Sequence, residues 1–198
     1  MSSAQDPTPA GVNGSLRSGD IVFQDSSPRS VQAGSIKALT RSDWSHCGIY
    51  FERPNGRPVI IDGNGGEGEV AWQDWRGHGR DGRFAAYRLR NSLSDGQLRG
   101  LWTAANRYDR KPYDFKFAWG DAEIYCSELI WKAYRNAAGL EVGRIQRLKD
   151  FDLRSSLALP LIKRDRGWGS VAIAEAHGDE RVVSPQAIAD SNFLQRVR

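Results

Sequence analysis

The sequence predicts an α+β domain in which an antiparallel sheet packs against helices, and three stretches carry that expectation. Ser45-His46-Cys47-Gly48-Ile49-Tyr50-Phe51 has the bulky and β-branched content of a strand. Arg53-Pro54-Asn55-Gly56 then fits a type I turn, with Pro at its second position and Gly where the backbone turns left-handed. From Cys126 onward, apolar or small residues fall at 126, 129, 130, 133, 134 and 137. That is the stripe of an amphipathic helix, and Gly139 is its natural stop.

The other elements follow in order. Residues 1–14 are rich in Ser, Pro, Gly and Ala without periodicity and read as a flexible tail before a single domain of residues 15–198. Asp20-Ile21-Val22-Phe23-Gln24, set off by Gly19, reads as a short buried strand, and residues 30–40 as a short helix. Gly63 to Gly68 is a glycine-rich loop without the spacing of a phosphate-binding loop. Val70 to Trp75 shows no dominant period. Phe84 to Leu89 reads as a strand and Ser94 to Arg107 as a helix starting at a Ser cap. Pro112-Tyr113-Asp114-Phe115 marks a turn, Leu157 to Ile162 is an apolar stretch expected to cover the core, and Pro185 to Ala189 is a short final helix.

Composition narrows the function. The 198 residues suffice for one well-buried domain. Lys and Arg number 28 against 24 Asp and Glu, and the +4 excess is spread along the chain, so no nucleic-acid partner is expected. No apolar run is long enough for a membrane span. The N-terminus lacks a charged and apolar leader. The expected location is therefore cytoplasmic, or outside the cell by a route without a cleavable signal peptide, such as a dedicated secretion machine. Two Cys and three His offer neither a disulfide framework nor a closed zinc cluster, and no metal or cofactor is expected. A monomer is expected.

The chemistry points to Cys126. It sits in the first turn of its helix, where free backbone N–H groups and the helix dipole favour a thiolate. Such a thiol is a candidate nucleophile if a base reaches it; otherwise it is a small buried hydrophobe. On the 45–51 strand, alternation turns His46, Gly48 and Tyr50 one way and Cys47, Ile49 and Phe51 the other. His46 and Cys47 are thus not expected to serve one site, and Cys47 is assigned to the core. A three-residue loop of Pro54, Asn55 and Gly56 sets His46 opposite Asn64 and Gly48 opposite Asp62, with Asp62 a diagonal neighbour of the imidazole. A two-residue Asn-Gly turn would instead flip Asp62 to the other face. Glu128 lies off the apolar stripe and reads as a carboxylate complementing the helix dipole. His78 and His177 read as exposed.

Taken together, the pieces resemble the permuted papain-like amidases, the YiiX/YaeF-like group related to NlpC-type cell-wall cysteine peptidases. The matching segments are 19–24, 45–50, Pro112-Tyr113-Asp114-Phe115, Tyr125-Cys126-Ser127-Glu128-Leu129 and Ser184-Pro185, in that order. A His strand preceding the Cys helix is the permuted arrangement. The resemblance implies a circularly permuted papain-like fold, Cys126 as nucleophile, His46 as base, and Asp62 where the family commonly has Glu, with Asn64 as the alternative. It also implies substrate-side or oxyanion-side roles for Tyr125 and Gln24. The expected activity is cleavage of an amide, most naturally a peptidoglycan peptide bond, with an unidentified secretion or immunity partner. The alternatives are a lipid-amide or acyl hydrolase and a non-catalytic binding module of the same fold.

Overall fold

A computed structural model describes residues 16–26, 31–65, 68–114, 117–154, 156 and 170–198. The elements run β1 (Asp20–Ser26), α1 (Val31–Thr40), β2 (His46–Glu52), β3 (Pro58–Ile61), β4 (Val70–Ala71), α2 (Trp72–His78) and β5 (Gly79–Leu89). Then come α3 (Asp95–Asp109), α4 (Cys126–Ala138), β6 (Gln146–Arg147), α5 (Val171–Ala176), β7 (Arg181–Val182), α6 (Pro185–Ala189) and β8 (Leu194–Arg196). The expected tail of residues 1–14 and the apolar stretch Leu157 to Ile162 lie outside the described residues. The described helices include none long and apolar enough to cross a membrane.

Six strands form one antiparallel sheet in the order β4-β3-β2-β1-β5-β8, and β6 pairs with β7 separately. The β2–β3 hairpin takes the three-residue loop: Arg53 N–H donates to the Arg57 carbonyl at 2.9 Å and Gly56, at φ +76°, closes the turn. Ile49 pairs with Ile61 and Tyr50 with Ile60. Continued one step, that register sets Gly48 against Asp62 on the face that carries His46.

Alternation along the strands divides the apolar side chains between two layers. Ile21, Phe23, Ile49, Phe51 and Ile61 meet Leu101 of α3 and Leu129 and Ala133 of α4 in the larger core. Val22, Tyr50, Ile60 and Phe84 meet Trp72 and Trp75 in a smaller core on the opposite face. Those two Trp, three residues apart on one face of α2, explain the stretch whose period was ambiguous. Nine residues divided between a two-residue strand and a two-turn helix are too few to show either repeat.

The long helices end as their sequences foretell. Ser94 caps α3, its hydroxyl accepting from Gln97 N–H at 3.2 Å while the Gln97 side chain accepts from Ser94 N–H at 3.0 Å, a capping box. Gly139 ends α4 in the left-handed conformation at φ +70°. Strands β6, β7 and β8 span two or three residues and carry no alternation a sequence could display.

Candidate active site

Cys126 is the first residue of α4, following Tyr125 in extended conformation. The Tyr125 carbonyl accepts the first helical bond, from Leu129 N–H at 3.0 Å. The N–H groups of the first turn therefore converge beside the sulfur without an intrahelical partner. Tyr125 and Ser127 clamp a single residue of the neighbouring segment. Val183 N–H donates to the Tyr125 hydroxyl at 3.1 Å, and the Ser127 hydroxyl donates to the Val183 carbonyl at 2.8 Å. Ser184 then caps α6 by accepting from Ala187 N–H at 3.1 Å, with Pro185 in the first turn. This clamp sets residues 182–185 as a wall next to Cys126.

His46 opens β2 opposite Gln24 of β1. Its Nε2 lies 2.7 Å from Asp62 Oδ2, which leaves the other ring nitrogen free to serve Cys126, whose charge acts on the imidazole. Asp62 Oδ2 also accepts from Trp75 Nε1–H at 3.0 Å, and the Trp75 and His46 ring centroids stand 6.2 Å apart. Trp75 thus orients the carboxylate and flanks the imidazole, a role that sequence reasoning missed. The available signal was the Trp72/Trp75 spacing. Gly48 makes the arrangement possible: a Cβ there would stand 2.5 Å from Ile60 Cγ2 and 2.9 Å from Asp62 Cβ.

The electrostatics follow from burial and contact. Burial works against a charged His46, but the Asp62 carboxylate and the Cys126 thiolate outweigh it and raise the imidazole to about 10. Cys126 is lowered well below an ordinary thiol, first by a hydrogen bond from Cys47 and then, against the cost of burial, by the His46 charge. Thiolate and imidazolium hold each other as an ion pair. Cys47 itself is fully buried and its thiol is pushed up by burial.

Cys47 lies in the core, as alternation predicts, and it adds to the stabilisation of the Cys126 thiolate. Glu128, in the first turn of α4, is fully buried, with Lys132 Nζ 2.8 Å from its Oε1. Burial raises this carboxyl to about 8, against the pull of Lys132.

The remaining predicted residues fall as follows. Asn64 does not touch the imidazole; its Oδ1 is buried without a hydrogen-bond partner, and Asp62 holds His46 instead. Gln24 is buried beside His46, its Oε1 close against Gly79. The Tyr125 ring lines the cavity described next, with its hydroxyl engaged by Val183. His78 and His177 are exposed, and His177 Nδ1 lies 2.8 Å from Glu180. Among the described residues no group of three or more His, Cys, Asp or Glu side chains is placed to hold a metal ion.

A small cavity of about 40 Å³ lies beside Cys126. Its wall is built largely from Ile36, Leu39, Phe117, Leu148, Phe151 and Val182.

Residues 15–198 match the family described as permuted papain-like amidase enzyme, YaeF/YiiX. The chain belongs to this family. It is 39% identical over 181 residues to the uncharacterized protein YiiX of Escherichia coli K12, covering 91% of this chain and 85% of that one. It also resembles the crystal structure titled metalloprotein yiiX from Escherichia coli O157:H7, with a TM-score of 0.82 and 39% identity over 92% of this chain and 96% of that one. As a permuted papain-like amidase, the chain carries its Cys helix C-terminal to its His strand, and the antiparallel sheet with flanking helices is the fold anticipated from sequence.

Proposed function

We propose that this protein is a thiol amidase in which Cys126 is the nucleophile, His46 the proton carrier and Asp62 the group that orients it. The observation that carries this reading is His46 itself, held by Asp62 on one ring nitrogen at 2.7 Å, with the charge of Cys126 acting on the same imidazole. The proton already rests on the imidazole, so the Cys126 thiolate attacks the amide carbonyl directly. The negative charge passes to the carbonyl oxygen, where the Cys126 N–H at the start of α4 donates to it. His46 gives its proton to the leaving amine as the C–N bond breaks, leaving a thioester. Neutral His46 then takes a proton from water, the hydroxide attacks the thioester, and the acid departs with the thiolate–imidazolium pair restored.

Two substrate classes are supported to different degrees. Kinship with cell-wall peptidases and a sequence pI of about 9.2 favour a peptidoglycan peptide. The apolar wall of the cavity beside the sulfur favours an amide whose acyl part is apolar, because burying hydrocarbon there gains about 25 cal/mol for each Å² removed from water. We hold the acyl-amide reading to be the better supported.

The test offers muropeptides and long-chain acyl amides side by side to the wild type and to Cys126→Ala, with intact-mass detection of a thioester on the protein. Turnover of the acyl amides by wild type alone is expected. Turnover confined to muropeptides overturns the substrate assignment, and equal turnover by Cys126→Ala overturns the nucleophile.

A further inference from the structure

A second and much larger hollow adjoins the cavity at Cys126. It is an open groove of about 1050 Å³ between the end of α1, the segment after α4, and α6 with the residues that follow it. Thr40 and Ser184 line both spaces, so the groove begins where the cavity wall ends. The two differ in chemistry. The cavity wall is largely apolar, whereas the groove presents the charged side chains of Arg41, Glu141, Arg144 and Asp190.

Those charges are not equally committed. Glu141 Oε1 lies 3.2 Å from Arg135 Nε, and Asp190 Oδ1 accepts from Gln186 Nε2–H at 2.8 Å. Arg41 and Arg144 are exposed, and among the described residues neither guanidinium has an ion-pair or hydrogen-bond partner. The backbone nevertheless holds both in place. Ser42 N–H donates to the Lys37 carbonyl at 3.0 Å, closing α1 with Arg41 in the left-handed conformation at φ +49°. Glycine is the usual residue at such a helix end, because a β-carbon crowds the backbone there. An arginine in its place accepts that strain and delivers a cation to the edge of the groove. Gly143, at φ +93°, lies so close to α6 that a Cβ would stand 2.7 Å from Ile188 Cδ1, which fixes the neighbouring Arg144 beside that helix.

We propose that the groove binds the amine half of the substrate, and that Arg41 and Arg144 select amines bearing a free carboxylate, as in an N-acylated amino acid. The inference rests on the amidase reading, with the acyl half against the apolar cavity wall. An amino acid carries its carboxylate one carbon beyond the scissile nitrogen, so a substrate passing Thr40 and Ser184 brings that charge into the groove. A guanidinium fork meets a carboxylate with paired, charge-assisted hydrogen bonds, which a neutral carboxamide does not match.

The test measures binding of N-octanoylglycine and of neutral N-octanoylglycinamide to full-length Cys126→Ala by calorimetry, and kcat/KM for both with the wild type. The acid is expected to bind more than about tenfold tighter than the neutral compound, and to lose that advantage as salt is raised. In the wild type the same preference is expected, expressed in KM. Arg41→Gly and Arg144→Gln, introduced into both backgrounds separately and together, are expected to bring the ratio of acid to neutral compound toward one. Glycine suits the left-handed backbone, so an unchanged or higher Tm in Arg41→Gly separates lost recognition from lost folding. Equal binding of the two compounds, binding of neither, or a preference that survives the double substitution overturns the proposal. The binding measurement needs no turnover. Acid-selective binding without hydrolysis by the wild type would strike the amidase reading and leave the carboxylate site standing.

Discussion

Gly48 and Asp62 face each other across the β2–β3 hairpin so closely that a Cβ at position 48 would stand 2.9 Å from the Cβ of Asp62. The missing side chain is the space through which Asp62 leans diagonally to reach His46. Gly48→Ala must push the two strands apart or turn Asp62 away. We expect a loss of about 1–3 kcal/mol in stability, as overpacking in a filled core costs. Amidase activity should fall more than about tenfold, because the His46–Asp62 bond lengthens. Thermal denaturation and turnover of the variant check both, and wild-type turnover would show that the close approach is dispensable.

Asp62 was the expected third residue and Asn64 the alternative, and the hydrogen bond to His46 Nε2 falls to Asp62. Asp62→Asn replaces a carboxylate with an amide that cannot balance the imidazolium. Activity should drop by roughly 10²–10⁴-fold. Asn64→Ala should change it by less than about tenfold, since the Asn64 Oδ1 has no hydrogen-bond partner and Asp62 holds His46. Steady-state rates on one substrate compare the pair, and the reverse ranking would reassign the triad.

The ion pair sets the pH dependence. Cys126 is held well below its ordinary value of 9.0, so its contribution to stability is present above that value and fades as pH falls through the lowered one. His46 is raised from 6.5 to about 10, so its contribution is complete below 6.5 and is lost as pH rises through about 10. Amidase rate should therefore persist into mildly acidic buffer and decline near pH 10, where His46 no longer carries the proton the leaving amine needs. Iodoacetamide should label Cys126 well below the pH at which ordinary thiols react, and Asp62→Asn should move the basic limb downward. Labelling that follows an unperturbed thiol would contradict the pair.

Glu128 gives an opposite and separable signature. Its carboxyl is raised from 4.5 to about 8, chiefly by burial, so the folded chain binds the extra proton between those values. Stability must then decline as pH rises through that interval. Glu128→Gln should flatten this part of the Tm–pH curve, by roughly 2–4 °C for each kcal/mol removed. Lys132 keeps Asp121 at 2.7 Å as a partner in the variant. An unchanged slope would locate the titration elsewhere.

Tyr125→Phe removes the acceptor for Val183 N–H and leaves a buried donor unpaired, at a cost of about 1–3 kcal/mol. Because Val183 belongs to the cavity wall, the expected kinetic change is a higher KM with kcat nearly intact. A pure kcat loss would instead mark Tyr125 as a participant in the chemistry.

Local patterns were enough to read the Cys126 helix with its Gly139 stop, the Ser94 cap, the paired strands and the left-handed turn at Gly56. Each depends on side-chain period or backbone preference within a few residues, which a linear chain displays directly. The same patterns left open whether Asp62 or Asn64 would meet the imidazole, because one residue of turn length reverses a strand's faces. Packing alone revealed that Trp75 secures Asp62 and that Glu128 is buried. These are contacts between segments distant in the chain. Neither alternation nor helical period records where the end of one strand meets the start of a helix about eighty residues later, and that junction, formed by closure of the whole core, is where the sulfur and the imidazole come together.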